Sequence, residues 1–135
     1  TAVNVVVVGI AMISLLVGGV GIANTMYTSV LERRKEIGTM KAIGARNSNV
    51  LMIFLFESGL LGLIGGIIGA LMGIGVAFGV AFGANTAFGS EIIKLNISFA
   101  LLISVITFSF LIGLLSGAIP SYQASKLRPV DALRS

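Results

Sequence analysis

The chain has 135 residues, 56% of them hydrophobic and only 10% charged, with no His, no Cys, 18 Gly and a formal net charge of +4. Soluble domains carry about 25% charged residues, and a water-soluble core of this size has nowhere to hide so much apolar surface. The composition excludes a soluble globular domain and any zinc or haem site built on His or Cys.

The first run, Ala2 to Leu31, holds no charged side chain. Lipid gives unpaired backbone amides no partner, so a run longer than the roughly 20 residues that cross the hydrocarbon layer is helical; it is too long for a barrel strand. Thirty residues at about 1.5 Å each reach about 45 Å against a hydrocarbon core of about 30 Å, so this helix tilts strongly or protrudes. Its last turns, NTMYTSV at 24–30, are more polar than its middle. The helix therefore emerges before the charged stretch begins.

Half of the chain's charge comes next. Between Glu32 and Arg46 lie seven of the fourteen charged residues: Arg33, Arg34, Lys35, Lys41 and Arg46 against Glu32 and Glu36. Within this stretch ERRKEIGTMKAIGA sets Ile37, Met40, Ile43 and Gly44 at helical spacings, with Gly38 and Gly44 available as breaks or caps. The apolar stripe is imperfect, because Lys41 falls near the same face. A short helix lying on the membrane surface, or docked on a soluble protein, fits this pattern. The two acids and the absence of aromatics argue against nucleic acid as a partner.

The second span, Val50 to Phe82, is rich in glycine. G-x-x-x-G pairs occur at Gly62 and Gly66, Gly65 and Gly69, Gly69 and Gly73, Gly75 and Gly79, and Gly79 and Gly83. Glycine costs about 1 kcal/mol relative to Ala in a helix interior, so these residues point to close backbone approach by another membrane helix. Gly18, Gly19 and Gly21 on the first helix, and Gly113 and Gly117 on the third, are the complementary candidates. Glu57 is the sole ionisable residue inside a predicted span. The spans offer it no Lys, Arg, His or second acid, so a proton or ion site is disfavoured. A hydrogen-bonded or snorkelling carboxylate facing Arg34 or Lys35 is expected instead.

The connection 83–96 carries only Glu91 and Lys94, and the Asn96-Ile97-Ser98 sequon at its end abuts the third span, Ile97 to Ile119. The tail 120–135 holds Lys126, Arg128 and Arg134 against Asp131, and Pro129 followed by Asp131 predicts a short terminal helix. Under the positive-inside bias, segment 32–49 and the C-terminus face the cytoplasm and 83–96 faces out. Thr1 then lies outside without an initiator Met, a basic n-region or a cleavage site, which predicts a longer parent protein with a further membrane helix upstream and an extracytoplasmic domain before Thr1. No phosphate loop or nucleophile elbow occurs, and GGVGIAN at 18–24 lies mid-span without a third glycine in register, so the chain reads as no enzyme. The expected fold is all-α. It is a polytopic membrane protein with three long transmembrane helices at about 2–31, 50–82 and 97–119, a short cytoplasmic helix between the first two and another at the C-terminus.

Two stretches carry a family resemblance. TSVLERRKEIGTMKAIGARNSNVLMIFLFESGLLGLIGGIIG resembles the signature region of FtsX-like permease domains, the membrane subunits of the MacB and LolC/LolE type of ABC transporter. IPSYQASKLRPVDALRS is similar to that family's terminal motif, a Pro near the end of the last helix, then small and basic residues, then Pro-[Val/Ile]-[Asp/Glu]-Ala-Leu-Arg. The resemblance covers essentially the whole chain. It implies a plasma (inner) membrane protein of a bacterium or archaeon with four transmembrane helices, of which this chain holds the last three. It also implies a second permease copy or paralogue, a cytoplasmic ATPase subunit or domain that binds the ATP, an extracytoplasmic partner, and no cofactor held by this chain.

By the same resemblance Glu32, Arg33, Arg34, Lys35, Glu36, Ile37, Gly38, Lys41, Ala42, Gly44 and Ala45 form the element that couples to the ATPase. Gly62, Gly65, Gly66, Gly69, Gly73, Gly113 and Gly117 remain the helix-packing candidates. Many family members transmit nucleotide-driven closure to the outer side, where lipoproteins, peptides or drugs are handled. On that reading Ile37→Asp, or charge reversal at Arg33 and Arg34 together, uncouples hydrolysis without unfolding the bundle. A regulatory module that activates cell-wall hydrolases shares these features. A conducting carrier or channel is disfavoured, since the spans lack a polar lining and discontinuous helices. Tyr122 and Gln123 stand where the family often has a basic residue, so no ion pairs between tail and ATPase are implied.

Overall fold

The computed structural model describes residues 1–134, and among them every regular element is an α-helix. In chain order these are α1 (Ala2–Glu32), α2 (Arg34–Ala42), α3 (Asn47–Phe88), α4 (Phe99–Ser125) and α5 (Pro129–Arg134). The expected all-α architecture is the one the chain adopts: α1, α3 and α4 are each long and apolar enough to cross a membrane, and α2 and α5 are short.

Arg33 alone separates α1 from α2, with its amide donating to the Ser29 carbonyl at 3.0 Å. α2 ends in a Schellman motif: Gly44 takes φ 106°, its amide donates to the Lys41 carbonyl at 3.1 Å, and the Ala45 amide donates to Met40 at 3.0 Å. Glycine is needed there because the left-handed region is costly for a residue with a Cβ.

α3 extends beyond the span drawn from composition. It starts at Asn47 and runs to Phe88, into the segment expected as a connection from 83, and stops at Gly89 with φ 65°. The residues ANTAF at 84–88 are more polar than those before them but contain no helix breaker, so polarity marks a change of surroundings and not the helix end. The 42 residues of α3 give a rod of about 63 Å. α4 likewise continues through Pro120 to Ser125, past the boundary expected at Ile119. Proline removes one backbone bond and strains the turn before it. Here Pro120, Ser121, Ala124 and Ser125 are buried, and packing holds the last turns in place.

The main interface joins α3 and α4, which run antiparallel. Ser58 meets Gly117, Gly62 meets Gly113, and Gly66 meets Ser109, a ladder stepping by four residues on both helices. A Cβ on Gly62 would lie 2.8 Å from the Gly113 Cα and closer still to the Ser109 carbonyl, so the backbones touch only because side chains are missing. Gly59 makes room for the Phe110 and Leu114 side chains. Gly65, Gly69 and Gly73 meet nothing within 4 Å, as do Gly18 and Gly21 on α1; Gly19 faces the Ser116 hydroxyl. Between α1, α3 and α4 an open groove of about 630 Å³ is lined by Ser14, Gly18, Gly65, Gly69 and Ser109, among others.

Candidate coupling junction

All three long helices meet α2 at one end of the bundle. Met26 and Val30 of α1, Ile37 of α2, Val50 and Phe54 of α3 and Ala124 of α4 form one buried cluster, with Ile22, Met40 and Leu127 packed around it. Ile37, Val50 and Phe54 are fully buried. The short charged helix is thus set into the bundle by an apolar side chain and is no free loop.

Its position is fixed by the polar or close contacts of three residues. Arg33, at the α1–α2 joint, donates from Nε to Glu36 Oε2 at 2.9 Å and from Nη1 to Glu57 Oε2 at 3.1 Å, and its guanidinium lies 5.3 Å from the Phe54 ring centroid. The Glu36 hydrogen bond raises the Arg33 pKa; partial burial opposes that, and the Glu36 and Glu57 charges reinforce it. Lys41 reaches across to the end of α4 and donates from Nζ to the Ser125 carbonyl and, at 2.7 Å, to the Leu127 carbonyl. The Ser125 carbonyl belongs to the last turn of α4, where intrahelical donors run out, and the Leu127 carbonyl to the turn that follows it. Burial lowers the Lys41 pKa, and nearby Lys126 acts in the same direction. Gly38 is buried against α5, where an added Cβ would stand 2.8 Å from the Ala132 Cβ.

The residues carried over as a coupling element thus divide into two faces. Ile37 and Gly38 are buried and Lys41 turns inward, so these three hold α2 in the bundle and offer little to a docking partner. Ile37→Asp therefore places a carboxylate in the core, and the expectation that it spares the bundle is withdrawn. Glu32, Arg34, Lys35, Glu36, Ala42 and Gly44 are exposed, while Arg33 and Ala45 are half-buried. Ile43, read from spacing as part of the stripe with Ile37 and Met40, is 83% exposed because the helix ends at Ala42 and the turn swings it away. The partner of Glu57 is Arg33, not Arg34 or Lys35.

Sequence reasoning passed over Ser58 and Ser109, each the first member of a small-x-x-x-small-x-x-x-small run (58, 62, 66 and 109, 113, 117), a legible signal once serine is counted with glycine. It also passed over Asn85, which receives the Ile92 and Ile93 amides at 2.9 and 3.1 Å and donates to the Ile93 carbonyl at 3.2 Å, folding the connection onto α3. Among the described residues no group of three His, Cys, Asp or Glu could hold a metal ion.

Three apolar helices of spanning length, tied at one end by a short amphipathic helix, define a multi-pass membrane protein. Residues 8–129 match the family described as FtsX-like permease C-terminal, and the chain belongs to that family of ABC transporter permeases. It is 48% identical over 132 residues to the uncharacterized ABC transporter permease MJ1507 of Methanocaldococcus jannaschii, covering 98% of this chain and 33% of the relative. It is 42% identical to the uncharacterized ABC transporter permease YknZ of Bacillus subtilis, covering 99% of this chain and 32% of that one. The macrolide export ATP-binding/permease protein MacB of Hahella chejuensis is 41% identical over 98% of this chain and 19% of its own length. The chain spans a third or less of these relatives.

Proposed function

We propose that the chain is the membrane portion of an ABC transporter permease that carries ATP-driven conformational change from a cytoplasmic ATPase to the extracytoplasmic side of the membrane. The observation that supports this best is the burial of Ile37 where α1, α3 and α4 converge, since a force applied to α2 is then felt by every long helix at once. Arg34, Lys35, Glu36, Thr39, Ala42 and Ile43 make up the outward face that the ATPase grips. The charge excess of segment 32–49 puts this face and the C-terminus in the cytoplasm. ATP is bound by the partner, a second permease copy or paralogue completes the complex, and the lipid bilayer covers the apolar flanks.

The test is site-specific cross-linking in the full permease with its ATPase. A photoreactive group at Thr39 or Ile43 is expected to capture the ATPase, and one at Phe99, at the far end of α4, is not. Capture from Phe99 alone would overturn the assignment. Thiol labelling of a cysteine at Lys35 from the cytoplasmic side checks the orientation.

A further inference from the structure

We infer that Lys41 is a positioning residue: by holding the Ser125 and Leu127 carbonyls it makes α2, the last turns of α4 and α5 move as one body, so that a load on α2 is delivered directly to the end of α4. The inference rests on the reading of α2 as the element that the ATPase grips.

Three observations carry it. The chain from α2 leads to α3 and not to α4, through the Schellman turn at Gly44 (φ 106°) and then an extended Arg46, so any tie from α2 to α4 has to be made by side chains. The link from α2 to α4 and α5 is made by charge-assisted bonds between residues 84 and 86 positions apart, Lys41 on the Ser125 and Leu127 carbonyls, and by the Gly38 backbone seated on Ala132. An ammonium has three donors and no acceptor, so one carbonyl in the last turn of α4 and one just past it satisfy it in a way that a half-buried apolar side chain could not reproduce. From α4 the load passes into α3 along the Ser58–Gly117, Gly62–Gly113 and Gly66–Ser109 ladder, where backbones touch and little side chain is left to give way. Motion of α2 thus reaches α4 through Lys41, in parallel with the direct seating of Ile37 against Val50 and Phe54 of α3.

The experiment uses the full permease with its ATPase in lipid nanodiscs. Spin labels at Thr39 and Val130, both exposed, report the α2–α5 distance, a fluorophore at Phe99 reports the far end of α4, and a cross-linker at Thr39 reports ATPase contact. In the unaltered protein one narrow α2–α5 distance is expected, the same with and without ATP, together with an ATP-driven change at Phe99. Lys41→Met is expected to raise the undocked α2–α5 population about tenfold, the equivalent of one lost charge-assisted bond, and to reduce the change at Phe99 while the Thr39 cross-link persists. Lys41→Arg, which keeps a cation, restores both readouts. Gly38→Ala is expected to undock α5 in the same way, and Gly38→Ala with Ala132→Gly to redock it.

A narrow distance or an intact Phe99 response in Lys41→Met, with the Thr39 cross-link present, would overturn this inference and leave the coupling reading standing. Absence of the Thr39 cross-link in the unaltered protein would overturn both.

Discussion

The two ends of the bundle are built on opposite terms. At the α2 end, side chains from four helices are buried together and ion pairs, a helix-end cation and a glycine contact fix their positions. Toward the other end, no residue of α1 from 2 to 21 is buried, and α3 carries glycines at 65, 69 and 73 with open space beside them. In a bilayer, lipid tails solvate an apolar helix as well as another helix does, so exposed Val and Ile along α1 cost nothing. A protein interior is therefore needed only where position has to be specified, and the chain concentrates it at the junction.

The sharpest way to break this comparison is at isoleucine. Ile37→Asp buries a carboxylate among Met26, Val50 and Phe54 and is expected to lower stability by roughly 3 kcal/mol or more, whereas Ile43→Asp, at an exposed cap, is expected to change it by less than about 0.5 kcal/mol. Thermal unfolding of the two variants in detergent measures the gap, and equal melting temperatures would show that Ile37 is not in the core. A second contrast uses glycine on one helix. Gly62→Ala forces the α3 and α4 backbones apart at a cost of about 1–3 kcal/mol, while Gly69→Ala meets no neighbour and is expected to be neutral or to stabilise α3 by up to about 1 kcal/mol. Proximity cross-linking between α3 and α4 reads the first and unfolding reads both.

At the opposite end, Asn85→Ala removes three hydrogen bonds to the connection and is expected to cost about 1 kcal/mol locally, seen as faster hydrogen exchange at Ile92 and Ile93 without loss of the junction. The smallest effect is expected from Glu57→Gln. Its side chain and that of Arg33 are 39% and 36% exposed, so screening limits the pair to under about 1 kcal/mol. Arg33 keeps Glu36 and the face of Phe54 in that variant.

Charge-free runs made the three long helices legible in the sequence, because hydrocarbon leaves the backbone few options, while α2 was legible from apolar residues at helical spacing in the charged stretch and α5 from Pro129 and Asp131. Where the helices end was harder to read. Residues 84–88 look like a loop only if a drop in hydropathy is taken for a break, and Pro120 looks like a terminus only if the packing that holds Ala124 and Ser125 is unknown. The junction was legible as a charged amphipathic helix but not in its facing. Arg33, Arg34 and Lys35 are equivalent by composition; Arg33 is the one that reaches Glu57 because it occupies the non-helical joint between α1 and α2. Lys41 looked like a flaw in the apolar stripe, since no periodicity rule anticipates that an inward lysine will find the carbonyls of a helix some eighty residues away. Ile43 was misplaced for a related reason: spacing assigns a face only while the helix lasts.

The length of α3 has a consequence of its own. A rod of about 63 Å is about twice the thickness of the hydrocarbon layer, so a rotation about its midpoint displaces both tips, by about half an ångström for each degree. Five degrees of rocking, a small adjustment within the bilayer, would sweep Phe88 and Asn47 in opposite directions by nearly 3 Å each.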